Sequence, residues 1–249
     1  MKTLLITGAT SGIGKACAEV FANGGNKLIL TGRRSDRLEE LKHQLSDQCQ
    51  VETLCFDVRN RNEVKEQLSD LDARINHLDI LINNAGLAAG KANIDEGELD
   101  DWDQMIDTNV KGLLYVTKAL LPLIKKSQQP HIFNIASTAG KENYLGGNVY
   151  CASKHAVDAL SKSMRIDLLP FGIKVSNIAP GMVDTEFSLV RFKGDKEKAN
   201  AVYDGFTPLY AKDVASVIHF ASNQPKHVNI NDLVITCTAQ ANSFYTHKL

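Results

Sequence analysis

Apolar residues fall into two alternating rhythms along this 249-residue chain. Short, nearly unbroken apolar runs occur at 2–7, 27–31, 51–56, 78–82, 131–136, 173–178 and 232–237. Between them, apolar positions three and four apart recur over 12–21, 35–45, 62–75, 99–123, 149–168 and 213–223. A continuous apolar run reads as a strand buried on both faces, and the wider spacing reads as an amphipathic helix. Their alternation predicts an α/β fold of Rossmann type. It would be a doubly wound parallel sheet of about seven strands, with helices on both faces and right-handed crossovers. Residues 87–97 follow neither rhythm, and 182–210 is irregular apart from a short helical piece near 195–203. A long irregular stretch in a compact domain reads as a lid or binding loop. No linker, repeat or low-complexity tract appears, so 1–249 is expected to form one catalytic domain with its lid around 182–210.

Composition narrows the function classes. A net charge of -1 supplies no broad basic field for nucleic acid or an anionic membrane. No apolar run approaches the ~20 residues that span a bilayer. The N-terminal apolar stretch is too short for a signal peptide, which points to a cytoplasmic protein. The five cysteines are scattered and lack metal-ligand spacing, so they read as reduced thiols and no metal is expected. Cys151 adjoins Tyr150 but is expected to pack inside its helix.

The candidate chemistry lies at the ends of the predicted strands. After the first comes Gly8-Ala9-Thr10-Ser11-Gly12-Ile13-Gly14 and then a helix. Strand, glycine turn and helix form a phosphate cradle: glycine lets the backbone approach, and the helix start offers free N–H groups. The second strand ends in Gly32-Arg33-Arg34, where a dinucleotide fold carries an acid for a ribose 2′-hydroxyl or an arginine for a 2′-phosphate. The two arginines favour NADP(H). The alternative, Asp36 on the ribose, is less favoured because Asp36 with Glu39 suits a helix cap. Asp57-Val58 falls at a third strand tip, where a carboxylate can accept from an adenine amino group. Asn83-Asn84-Ala85-Gly86 ends the fourth strand, and Asn109 sits inside a long helix. Ser137 follows the fifth strand. Tyr150 and Lys154 are four apart, on one helix face. An ammonium near a tyrosine favours the phenolate, so Lys154 is expected to lower the Tyr150 pKa. Together with Ser137 they could exchange a proton with a substrate oxygen while hydride moves elsewhere.

Thr7-Gly8-x-x-x-Gly12-x-Gly14, Asn83-Asn84-Ala85-Gly86, Asn109, Ser137, Tyr150-x-x-x-Lys154 and Pro180-Gly181, in this order, resemble the short-chain dehydrogenase/reductase family across essentially the whole chain. The resemblance implies a catalytic tetrad. Tyr150 would be the acid/base and Lys154 would bind the nicotinamide ribose. Ser137 would orient the substrate oxygen, and Asn109 would hold a relay water. It also implies Pro180, Gly181, Val183 and Thr185 as cofactor contacts, and a homotetramer or dimer. Gly32-Arg33-Arg34, Gly146-Gly147-Asn148-Val149-Tyr150, Thr185-Glu186-Phe187 and Val190-Arg191-Phe192 are similar to the NADP-dependent 3-hydroxy acid dehydrogenases. That likeness implies a small-molecule substrate, a short 3-hydroxy acid such as serine or 3-hydroxypropionate, or its semialdehyde. Arg191 is the candidate for the carboxylate; a solvated lid arginine is its equal alternative. A broad carbonyl or 3-ketoacyl-thioester reductase is the competing enzyme reading, and a non-catalytic NADP(H) sensor the competing non-enzyme one.

Overall fold

The protein is described from a computed structural model, of which residues 1–248 are described. Its centre is a parallel sheet built from β1 (Thr3–Ile6), β2 (Lys27–Gly32), β3 (Val51–Cys55), β4 (Ile80–Asn83), β5 (His131–Ile135), β6 (Lys174–Pro180) and β9 (Asp232–Ile235). The spatial order is β3-β2-β1-β4-β5-β6-β9, every pairing parallel. The register sets Leu4 beside Leu28 and Ile80, and Leu5 beside Ile29 and Leu81. Leu4, Ile6, Leu28 and Leu30 face one core and Leu5, Ile29 and Leu81 the other. Burial on both faces is why these strands read as unbroken apolar runs.

On the first face, α1 (Gly12–Ala22) uses small residues, Ala16, Cys17 and Ala18, to pack closely along α10 (Ala211–Ser222), with α2 (Ser35–Leu45) beside them. On the second lie α3 (Arg61–Ser69), α4 (Leu71–Arg74), α5 (Leu99–Ile106), α6 (Leu113–Ile124) and α7 (Asn148–Asp167). The helix expected over 62–75 is two helices. Asp70 leaves helical geometry (φ -91°, ψ 1°), and the chain re-enters so that α4 buries Leu71 completely. The helix expected over 99–123 contains a π-turn, Asp107–Gly112, between α5 and α6. One additional residue in the turn rotates the following faces, a feature common at functional sites. Asp36 occupies the first turn of α2, whose cap is Arg34, so the predicted Asp36–Glu39 cap is absent; Glu39 instead accepts from Thr53.

The segment 182–210, expected to be a lid, holds more structure than its sequence suggested. β7 (Val183–Asp184) pairs in parallel with β8 (Leu209–Tyr210). Between them lie α8 (Phe187–Arg191) and α9 (Lys196–Ala201), of which only the second was foreseen. Each element is shorter than the window in which periodicity can be read. Among the described residues, no helix is long and apolar enough to cross a membrane.

Candidate active site

A cleft of about 470 Å³ runs across the carboxyl ends of the strands. Each strand delivers one piece of its wall: Thr10 after β1, Arg33 after β2, Asp57 after β3, Ala85 after β4, Ser137 after β5 and Gly181 after β6. Such crevices, where crossovers diverge to opposite faces, are where open α/β sheets bind ligands.

One end is cationic and rich in backbone donors. Gly8 turns the chain at φ +65°, a region open to glycine, and Asn84 Nδ2 donates to Thr7 O (2.9 Å) and Gly8 O (3.1 Å), fixing the loop. Gly14 does not line the cleft. It allows helix and loop to meet, since a Cβ there would overlap the Gly8 carbonyl and stand 2.5 Å from Asn84 Nδ2. Ser11, which precedes α1, makes no side-chain cap, so the N–H groups of that helix's first turn are not taken by its hydroxyl. Arg34 Nη2 donates to Thr10 Oγ1 (2.7 Å) and Ser11 Oγ (3.0 Å), while Nη1 pairs with Glu186 of the lid (3.0 Å). Arg37 grips the same carboxylate at 2.7 Å. Arg33, with 54% of its side chain exposed, stands 3.7 Å from Asp57 and is the freer cation. Burial would raise the Asp57 carboxyl, but hydrogen bonds and charge from Arg59, with Arg33 behind, hold it below the usual range.

The other end carries the candidate reacting groups. Burial pushes the Tyr150 phenol well above its ordinary value, and neighbouring Tyr144 adds to this; Ser137 and the Arg191 guanidinium pull it back. Lys154 Nζ donates to Ile135 O at 2.8 Å and lies 6.0 Å from the Tyr150 ring centre, so its hydrogen bond goes to β5, and the lowering expected of Tyr150 gives way to burial. Lys154 is itself shifted, lowered to about 8 by burial, because a charged amine is poorly solvated in this interior. Ser137 Oγ accepts from Ala139 N (3.1 Å) and donates to Pro180 O (3.3 Å).

Asn109, in the π-turn, is off the cleft wall. Its Oδ1 accepts from Leu87 N (2.8 Å), and its Nδ2 donates to Leu87 O (2.8 Å) and Ser153 Oγ (2.9 Å). The side chain is therefore a clamp between the loop after β4 and α7, and both its amide hydrogens are spent on protein. Neither amide hydrogen is left to donate to the expected relay water, which could meet only an acceptor of Asn109. Cys151 is buried, as expected.

Arg191, at the end of α8, reaches back over the cleft. Its Nε donates to Gly90 O (3.4 Å), and its guanidinium lies 5.3 Å from the Tyr144 ring and 5.7 Å from the Tyr150 ring. Its Nη2 is buried with no partner. Apart from Gly14 and Asn109, every residue expected to touch cofactor or substrate lies on this one cleft, Ile13, Gly12, Val58, Gly86, Val183 and Thr185 included. Sequence reasoning missed Tyr144, Phe187, Gln240 and Ser243 on the same wall. Tyr144 lies in an unpatterned loop, and the last two follow the final strand in a tail without periodicity, so no local signal marked them.

The fold and this cleft are those of a nucleotide-dependent dehydrogenase, and the chain belongs to the short chain dehydrogenase family, whose pattern matches residues 2–195. Among its relatives, NADP-dependent 3-hydroxy acid dehydrogenase YdfG of Escherichia coli O6:H1 is 45% identical over 96% of each chain. Sulfoacetaldehyde reductase 2 of Chromohalobacter salexigens is likewise 45% identical, covering 96% of this chain and 95% of that one. The closed form of serine dehydrogenase complexed with NADP+ superposes with a TM-score of 0.91 at 44% identity, covering 99% of this chain and 100% of the other.

Proposed function

We propose that this protein is an NADP(H)-dependent dehydrogenase of short 3-hydroxy acids, such as serine or 3-hydroxypropionate, working reversibly with the matching semialdehydes. The observation that carries the substrate class is the buried, unpartnered Arg191 Nη2 beside Tyr150. A permanently charged group left short of a hydrogen bond inside a cleft is stabilised by an anionic guest. The cofactor reading is supported by the donors at the opposite end. Arg33 and Arg34 suit a 2′-phosphate, the start of α1 suits a pyrophosphate, and the Gly8 turn lets it approach. The cofactor, when bound, accepts or supplies the hydride.

In the reductive direction the neutral Tyr150 phenol, which burial favours, gives its Oη proton to the substrate carbonyl oxygen as hydride arrives at carbon, and in oxidation the phenolate so formed takes that proton back. Ser137 Oγ keeps that oxygen in place as it becomes a carbonyl, and the apolar wall of Leu87, Phe187 and Val190 limits water. Lys154 Nζ, on the cleft wall, would hold the hydroxyls of the nicotinamide ribose. Asn109 holds the α7 turn that carries Tyr150 and Ser153. Arg191 has two tasks, seating the carboxylate and drawing down the Tyr150 pKa.

The same reading includes one catalytic domain with residues 182–210 as its lid, a cytoplasmic location and a homotetramer or dimer. Exposed Ile166 (74%), Leu169 (72%) and Phe171 at the end of α7 support the self-association. Initial rates on L-serine, 3-hydroxypropionate and an acetoacetyl thioester test the function. The acids are expected to be turned over and the thioester not. A thioester rate exceeding that of both acids overturns the reading. Tyr150→Phe is expected to abolish turnover while NADPH still binds, and retained turnover removes Tyr150 from the chemistry.

A further inference from the structure

Beyond the lid, a second element reaches the chemical end of the cleft. After β9 the chain makes a compact turn. Gln240, buried, accepts from Met182 N through Oε1 (2.8 Å) and donates to Asn242 O through Nε2 (3.0 Å). Asn242 Oδ1 accepts from Phe244 N (3.1 Å) and Tyr245 N (2.8 Å), and Gln240 bridges antiparallel to Thr246. Ser243 N donates to Glu142 Oε2 (3.0 Å), which ties the turn to the loop following Ser137. The Ser243 side chain is thus held in place by its own backbone and its neighbours. Its Oγ is buried and has no hydrogen-bond partner, yet Ser243 lines the same cleft as Tyr150 and Arg191.

Buried hydroxyls without partners are rare, because an unmade hydrogen bond costs stability. Here two of the few such atoms, Ser243 Oγ and Arg191 Nη2, belong to residues of one cavity wall. Both can donate, and Arg191 is always charged. They come from opposite elements, one from the lid and one from the C-terminal turn. Two donors on residues of one cavity wall, one of them charged, match an acceptor with two or more oxygens and one negative charge. We propose that Ser243 is a substrate-specificity residue, forming with Arg191 a seat for the anionic head of the substrate. This inference rests on the 3-hydroxy acid reading and gives that reading its second donor. A carboxylate and a sulfonate present the same acceptor chemistry, and substrates carrying each separate the two.

Ser243→Ala removes a hydroxyl that bonds to nothing in the free protein, so the fold loses no contact. The assay measures kcat and KM of wild type and variant with NADP+ on 3-hydroxypropionate, 2-hydroxyethanesulfonate and neutral 3-hydroxypropionamide, beside NADPH affinity by fluorescence. We expect KM for 3-hydroxypropionate to rise about tenfold, the worth of one charge-assisted hydrogen bond, with kcat little changed. If the seat also takes sulfonates, 2-hydroxyethanesulfonate loses in parallel; if it is tuned to carboxylates, wild type does not turn that compound over, and either result with the acid's loss supports the seat. The amide, whose neutral carbonyl oxygen accepts more weakly, should lose clearly less than the acid, and NADPH affinity should not move. Equal losses on acid and amide would make Ser243 merely structural, and unchanged acid kinetics would remove it from the seat; both overturn this inference alone. Wild type inert on acid and sulfonate alike overturns the 3-hydroxy acid reading and the seat with it.

Discussion

Lys154→Met should stabilise the cofactor-free protein at neutral pH while abolishing its activity. Lys154 is 5% exposed and its pKa is lowered from 10.5 to about 8 by burial. At about 1.4 kcal/mol per unit, that shift represents roughly 3 kcal/mol of destabilisation from holding the ammonium inside. The sign follows from proton counting. The native amine gives up its proton near pH 8 and the unfolded one near 10.5. Between those values the unfolded chain binds more protons, so stability rises with pH; below pH 8 the full penalty applies. Methionine removes the charge with similar bulk, but it also removes the 2.8 Å bond to Ile135 O, worth about 1 kcal/mol. The net expectation is a gain of about 2 kcal/mol at pH 7, shrinking through pH 9 and turning into a small loss above pH 10.5. Urea titrations of both proteins without nucleotide, at pH 6, 7, 9 and 10.5, measure it. A difference that does not vary with pH, or a variant less stable at pH 7, would refute the claim that Lys154 is held at an energetic cost. The ribose hydroxyls assigned to it would then no longer be its compensation.

Other outcomes follow from the same geometry. Replacing Arg33 and Arg34 together by alanine should weaken NADPH about 100-fold, as expected for lost charge-assisted bonds, and NADH far less. Fluorescence titration with both nucleotides reads this, and equal losses would dissociate the arginines from the 2′-phosphate. Asn109→Leu strips partners from Leu87 N–H, Leu87 C=O and the Ser153 hydroxyl. The expected cost is about 2–4 kcal/mol in urea unfolding, and a loss below about 1 kcal/mol would mean the clamp is dispensable.

The strand and helix order was legible because the central strands are buried on both sides and each long helix on one, which writes two distinct periods into the chain. The glycine turn, Ser137 and the Tyr150–Lys154 pair were legible for a related reason. Each is local, fixed by its distance from a strand end or by one turn of helix. What local spacing could not settle was where those groups point. Tyr150 and Lys154 share a helix face, yet the lysine donates to a carbonyl of β5, and a second cation, Arg191, 41 positions further on, lies as close to the phenol ring. Asn109 was visible as an unusual helical residue, but the π-turn that spends its amide on Leu87 and Ser153 depends on packing between elements. Tyr144, Gln240 and Ser243 carry no periodic signal and join the cleft only through the tertiary packing of their loop and tail against it. Sequence alone determined the sheet, its cradle and the candidate reacting groups, because these follow from backbone period and short-range steric need. Tertiary structure alone decided the surroundings of those groups and which unpatterned residues share their cleft, because burial and long-range neighbours set desolvation and hydrogen-bond satisfaction.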